Sequence, residues 1–176
     1  MMRHLFVLLL SLSSLGLLAQ TKEQAPTAEA ILQPTLAKAK EGGKNVLLLF
    51  HASWCGWCRK MDASLADKTI QPLIAKNYEI AHLTVYESQN KKYLENKGAL
   101  EFLQENGGAE KGLPFWYVLN SEGKVLASSE ISQGNNSGCP ATEEEVAYFL
   151  SVLKKTARLT DAELETIRVR FRQNEK

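Results

Sequence analysis

Asn45-Val46-Leu47-Leu48-Leu49-Phe50-His51-Ala52-Ser53-Trp54-Cys55-Gly56-Trp57-Cys58 runs from an unbroken apolar stretch into two cysteines three residues apart. Val46 to Phe50 is too continuous for a half-exposed strand, so it reads as a strand covered on both faces and central to its sheet. Downstream, Met61 and Leu65, then Ile70, Leu73 and Ile74, recur at helical spacing. This predicts helices over Cys55 to Leu65 and Lys68 to Lys76, with a break near Asp67. The cysteines therefore lie where a buried strand ends and a helix opens. Residues three apart in a first helical turn share a face, near the ~5.5–6 Å Cα separation that a disulfide prefers. The unpaired amides and positive dipole end of the helix favour a thiolate at Cys55. Cys55, at the solvent-facing tip, is the expected nucleophile, and Cys58, one turn deeper, is placed to resolve a mixed disulfide.

Upstream of this stretch, Ile31, Leu36 and Ala39 share a face of a helix over Ala28 to Glu41, stopped by Gly42-Gly43 and expected to be kinked or short because of Pro34. Ile80 to Tyr86 reads as a second strand. Asn90 to Asn106 reads as one helix with Tyr93, Leu94, Leu100 and Leu103 as its buried face, ended by Gly107-Gly108. Phe115 to Leu119 and Lys124 to Ser128 flank Asn120-Ser121-Glu122-Gly123, a hairpin signal. Thr142 with Glu145, and Thr160 with Glu163, each open a helix through a capping box. A βαβ unit followed by a hairpin and closing helices makes an α/β fold: a central mixed sheet of about four strands flanked by helices, with an extra C-terminal helix.

The whole chain has 176 residues, 44% of them hydrophobic, which is enough for one domain with a real core. Three cysteines are too few to staple such a chain. A formal charge of +1 without blocks of like sign argues against nucleic acid as a partner. Arg3 and His4 followed by the apolar run Leu5 to Leu18 read as an export signal over residues 1–19, with Ala19 as the small residue before cleavage. An uncleaved N-terminal anchor is the alternative, because Leu17 stands where a small residue is preferred; with the signal cleaved, no stable membrane insertion is expected. Residues 20–27 read as a polar leader and 28–176 as the domain. Export to a periplasmic or secreted location lets disulfides persist.

That setting decides among the readings of the cysteine pair. As half of a zinc site it lacks partners, since Cys139 and the histidines His51 and His82 have no ligand spacing, so no metal is expected. A purely structural staple would more often close a longer loop. Redox cycling between dithiol and disulfide is the preferred reading, and it needs no cofactor beyond the Cys55-Cys58 pair itself.

In these residues the chain resembles the thioredoxin superfamily, specifically secreted bacterial thioredoxin-like proteins with a Trp-Cys-x-x-Cys site. The resemblance runs from about Ala37 to about Leu153. It rests on the buried strand entering Ala52-Ser53-Trp54-Cys55-Gly56-Trp57-Cys58-Arg59-Lys60-Met61, on Gly112-Leu113-Pro114-Phe115, and on the hairpin Asn120 to Lys124. The resemblance implies a thioredoxin-like fold and thiol-disulfide exchange. It implies that Pro114 is a cis-proline lying against the cysteine pair and that Leu113 offers backbone groups to an extended substrate strand. Trp54 is expected to shield the thiolate, and Gly56 and Trp57 to lie at the substrate contact. Two departures stand out. Leu49 replaces the buried acid that typical thioredoxins carry six residues before the first cysteine, which leaves the proton acceptor for Cys58 open. His51, on the same strand face, is one candidate, a packed or solvent-facing histidine being the plainer reading. Gly56-Trp57 between the cysteines leaves the redox potential unassigned. The chain between Cys58 and Pro114 is also longer than in a minimal thioredoxin, the excess falling around Glu87 to Gly108.

Topology places one more residue. If the strand from Phe115 runs antiparallel beside the central strand, its hairpin partner returns to the cysteine edge, and the long loop Glu130 to Ala141 hangs there with Cys139 in it. Cys139 is then either an auxiliary thiol able to reach Cys55 or an unreactive one before a helix cap. The expected activity is that of an exported thiol-disulfide oxidoreductase that reduces protein disulfides, with disulfide isomerase or oxidase as the alternative. Its expected partners are exported proteins with thiols or disulfides and a redox-recycling protein. A redox-inactive binding protein of the same fold is the rival from another class, with Leu164, Ile167 and Phe171 as a contact face unless they pack on their own domain.

Overall fold

The computed structural model describes residues 23–175. The proposed export signal and the first residues of the leader lie outside the described residues. From Ala25 onward the leader is fastened to the domain: Ala25 N–H donates to the Tyr93 carbonyl at 2.9 Å, and Asn96 Nδ2 donates to the Pro26 carbonyl at 2.7 Å.

The helix α1 (Ala28–Gly42) opens on the Thr27 side chain, which accepts from Ala30 N–H. It runs uninterrupted through Pro34 and is not shortened by it. Pro34 and Ala30 both lie on the exposed side, so the Ala30 carbonyl that Pro34 cannot bond faces solvent rather than the core. Then follow β1 (Asn45–His51), α2 (Gly56–Leu65), α3 (Gln71–Asn77) and β2 (Tyr78–Thr84). The hairpin is β3 (Phe115–Leu119) with β4 (Val125–Ser128), its turn closed by Gly123 at φ 82, a conformation that favours glycine. A small second sheet, β5 (Glu130–Ser132) with β6 (Asn135–Asn136), occupies what the sequence predicted as a plain loop. Both C-terminal helices, α5 (Glu143–Thr156) and α6 (Asp161–Arg172), start with the predicted capping boxes.

The expected helix from Asn90 to Asn106 is broken in two: a 3₁₀ helix over Gln89–Leu94 and α4 (Ala99–Glu105). The cause is Asn96. Its backbone N–H donates to the Thr84 carbonyl at 3.1 Å and its side chain accepts from Thr84 N–H at 2.6 Å, so the chain is pulled alongside the end of β2. Gly98 at φ 91 then turns it back into α4. Buried satisfaction of the Thr84 edge outweighs helix propensity here.

The main sheet has the order β2-β1-β3-β4, with β1 parallel to β2 and antiparallel to β3. Strand alternation splits the core into two layers. Leu47 and Leu49 face Met61 and Leu65 of α2, Ile74 of α3, Phe149 of α5 and Ile167 and Phe171 of α6. Val46, Leu48 and Phe50 face α1 and α4 through Ala39 and Leu103. Leu164, Ile167 and Phe171 are buried, so that face of α6 packs on its own domain. Among the described residues no helix is long and apolar enough to cross a membrane.

Candidate active site

β1 ends at His51, and after the four residues Ala52 to Cys55 the chain enters α2 at Gly56. The turn is closed by Cys55 N–H donating to the Ala52 carbonyl at 3.0 Å. Cys55 is the residue before the first helical turn, and its Sγ accepts from Cys58 N–H at 3.0 Å. The sulfur thus takes the place of the usual Ser or Asp cap for one first-turn amide of α2. Cys55 and Cys58 form a disulfide, with Cα atoms 5.3 Å apart. The expectation of a solvent-facing Cys55 is corrected in this state: both cysteines are 3% exposed, because they pack with Ala52 and Leu113.

The two tryptophans beside the pair stand open, Trp54 58% and Trp57 49% exposed. Trp54 is fixed by its indole N–H, which donates to the Tyr86 carbonyl at 2.9 Å. Tyr86 itself sits at φ 55, a strained conformation for a residue with a bulky side chain. Lys60 Nζ lies 4.6 Å from the centre of the Trp57 ring, a cation over an aromatic face.

Ser53 is held from three directions. Its N–H and hydroxyl both donate to the carboxylate of Glu87, the hydroxyl at 2.9 Å; Arg59 donates to its carbonyl at 3.1 Å; and Lys91 Nζ donates to its Oγ at 3.2 Å. Glu87 is only 4% exposed, and the sequence reading missed it. The signal was available in principle, since an acid just past the second strand of a parallel pair ends up beside the turn that follows the first strand.

On the other side of the cysteines, the Leu113-Pro114 peptide bond is cis and Leu113 packs against the pair. Asn136 of β6 ties this loop down, donating through Nδ2 to the carbonyls of Lys111 and Pro114, each at 3.0 Å. The result is a groove of about 400 Å³ whose walls include Trp57, Leu113, Pro114, Asn136, Cys139 and Glu145. Cys139 borders it, but its thiol is 5% exposed, and burial pushes its pKa up to about 12. The Asn174 amide lies 3.5 Å from the Cys139 sulfur. A larger cavity of about 650 Å³ lies on the opposite side of the sheet, between α1 and α4, away from the cysteines.

Leu49 is 1% exposed in the core under α2. His51 lies two residues on, with Nε2 3.1 Å from Thr84 Oγ1 and its ring 5.2 Å from that of His82. Burial is the main cause that holds its pKa below the ordinary histidine value, followed by the charge of His82; Asp62 and Glu87 act in the opposite direction. His82 Nε2 is 2.8 Å from Asp62 Oδ1. Among the described residues no three His, Cys, Asp or Glu side chains come together in a way that could hold a metal ion.

Comparison with solved structures finds similarity to a disulphide isomerase from Xylella fastidiosa Temecula1, at 26% identity over 82% of this chain and 88% of that one, with a TM-score of 0.49. It also finds a structure described as DsbH oxidoreductase, at 20% identity over 82% and 93% with a TM-score of 0.45. A thiol:disulfide interchange protein from Bacteroides sp. aligns at 21% identity over 70% and 80%, with a TM-score of 0.41. No curated protein matches the chain. The family model described as thioredoxin-like matches residues 27–121, more than half of the sequence and the part that holds β1, the cysteine pair, the cis-proline and the first strand of the hairpin. With a mixed four-stranded sheet and a disulfide at the head of α2, the chain belongs to the thioredoxin-like family.

Proposed function

We propose that this protein is an exported thiol-disulfide oxidoreductase that reduces disulfides in other exported proteins. The observation that carries the reading is the Cys55-Cys58 disulfide at the N-terminus of α2, with the Cys55 sulfur accepting a helix amide. The same geometry that caps the helix stabilises a thiolate at Cys55 once the pair is reduced.

The cycle follows from the two positions. The Cys55 thiolate attacks one sulfur of a substrate disulfide, and the other substrate sulfur leaves with the bonding electrons. The Cys58 thiolate then attacks Cys55 Sγ, which frees the second substrate sulfur and leaves the protein disulfide. The substrate gains two electrons and two protons, and a thiol-bearing recycling partner returns the Cys55-Cys58 pair to the dithiol. No metal or organic cofactor enters the reaction. Trp54, Gly56, Trp57, Leu113 and Pro114 form the contact surface for an extended substrate segment, supported by the open tryptophans and the groove beside the cis-proline.

Reduction of insulin-type disulfides by wild type, Cys55→Ser and Cys58→Ser tests this. Wild type is expected to turn over. Cys55→Ser is expected to be inactive, and Cys58→Ser to stop as a mixed disulfide visible by mass. Equal turnover of all three would overturn the reading. Direction is tested by equilibrating the pair against glutathione, where each ~30 mV corresponds to a tenfold change in the equilibrium constant. A pair that glutathione reduces readily would mark an oxidase or isomerase instead.

A further inference from the structure

The loop over residues 111–114 carries the residue that touches the redox pair, since Leu113 packs against the cluster of Ala52, Cys55 and Cys58. One side chain takes hold of that loop. Asn136 Nδ2 donates to the Lys111 carbonyl and to the Pro114 carbonyl, each at 3.0 Å, and lies 3.5 Å from the Gly112 carbonyl. Asn136 Oδ1 accepts from Gly138 N–H at 2.9 Å. Both amide hydrogens are engaged within the protein, so Asn136 has no donor left to offer a substrate. Of the four carbonyls in the loop, only that of Leu113 is not met by this amide. Neither that carbonyl nor the Leu113 N–H has a hydrogen-bond partner among the described residues.

Asn136 can act as a clamp because its own segment is fixed to the domain. The β5-β6 ribbon and the residues leaving it are tied to β3 and α5: Trp116 Nε1 donates to the Gly138 carbonyl at 2.9 Å, and the Tyr148 hydroxyl donates to the Glu130 carbonyl at 2.8 Å. Between them, Ser137 N–H donates to the Ser129 carbonyl at 2.8 Å. Glu130 of β5 adds a second hold on the loop, its carboxylate lying 2.5 Å from Lys111 Nζ. A rigid element thus fixes the loop and leaves the N–H and C=O of Leu113 free beside the disulfide, in the groove that Trp57 and Leu113 line. An unpaired backbone donor and acceptor on one residue make an edge that an extended peptide completes.

We propose that Asn136, with Glu130 as the second hold, is a positioning residue for substrate binding: it aligns the Leu113 backbone to pair with an extended polypeptide that carries the target disulfide. The proposal rests on the oxidoreductase reading above and deepens it, because it makes the preferred substrate a polypeptide disulfide rather than a small one. The Leu113 N–H donates to a substrate carbonyl, and a substrate N–H donates to the Leu113 carbonyl. Neither bond takes part in the exchange of sulfurs, so the clamp serves binding and leaves the reactivity of Cys55 as it is.

The test compares an insulin-type protein disulfide with a small aryl disulfide that has no backbone to pair. Two variants are read: Asn136→Ala, and Asn136→Asp, which keeps the acceptor for Gly138 N–H but sets a second acceptor against the loop carbonyls. In both, KM for the protein substrate is expected to rise roughly tenfold, while the rate with the aryl disulfide stays within about twofold of wild type. A peptide disulfide N-methylated beside its cysteine is expected to show a similar rise in wild type and little further rise in Asn136→Ala; equal rises in both overturn the proposal. An unchanged KM in the folded Asn136 variants overturns it, and so does a parallel loss with both substrates, which would mark damage to the redox pair itself. Should those variants fail to fold, Glu130→Gln is read on the same two substrates with a smaller rise expected, and an unmoved KM there overturns the proposal equally. A wild type that reduces neither substrate would instead remove the oxidoreductase reading, and this proposal with it.

Discussion

Cys139 borders the groove that runs past the cysteine pair, yet its sulfur is shut away beneath the Asn174 amide, and burial pushes its pKa up to about 12. A raised thiol pKa means that almost no thiolate is present near pH 8, and the thiolate is the reactive form. Reduced, folded protein is therefore expected to lose the Cys55 thiol quickly to iodoacetamide and the Cys139 thiol only on unfolding. Native labelling of Cys139 at the rate of Cys55 would show a groove-facing Cys139. Topology alone brought Cys139 to the right edge of the sheet, since that depends only on strand order. Its burial depends on where the last turn of the chain comes to rest, and no local pattern encodes that. Glu87 was missed for a related reason, since placing it needs the strand register as well as the strand order. It is an ordinary acid in the sequence, and becomes the clamp on Ser53 only through the β1-β2 register.

Elements set by their own residues were read well, and elements set by neighbours were not. β1, the hairpin and the two capping boxes need only apolar runs, a turn glycine and Thr-x-x-Glu. The 3₁₀ helix and α4 are separated by Asn96, whose partner Thr84 lies twelve residues back, beyond any local period. β5 and β6 are too short to show alternation. Two substitutions test how these elements are held. Thr160→Ala removes the α6 cap and is expected to cost about 1 kcal/mol in denaturant unfolding. Pro34→Ala restores a backbone donor inside α1 and is expected to raise stability by about 1 kcal/mol or more. A destabilised Pro34→Ala would mean that the ring packs more than its exposed position shows.

Across the molecule, two apolar layers share one sheet, and buried phenols fasten it at distant points. The Tyr78 hydroxyl meets Thr156 Oγ1 at 2.6 Å, and the Tyr117 hydroxyl donates to the Asn106 carbonyl at 3.1 Å. Burial pushes the pKa of each from 10.0 up to about 12. The folded state thus holds these protons more tightly than the unfolded chain does. Their contribution is complete below pH 10.0 and is lost as pH rises through about 12. Phenolate absorbance from these two tyrosines is expected to appear together with unfolding by circular dichroism. Titration of all five near pH 10 in folded protein would contradict the packing.

The final turn connects the two halves of this description. Asn174 accepts from Lys60 Nζ at 2.6 Å through its carbonyl and from Ser64 Oγ at 3.1 Å through its side chain, so it grips the helix that Cys55 caps. Its amide meets the Cys139 sulfur at 3.5 Å and the Pro140 carbonyl at 3.1 Å. One residue near the chain's end is thus both a stopper over the spare thiol and a latch on the redox helix. Losing Asn174 would uncork the one and loosen the other together, so the segment that follows α6 helps to hold the cysteine-capped helix in place.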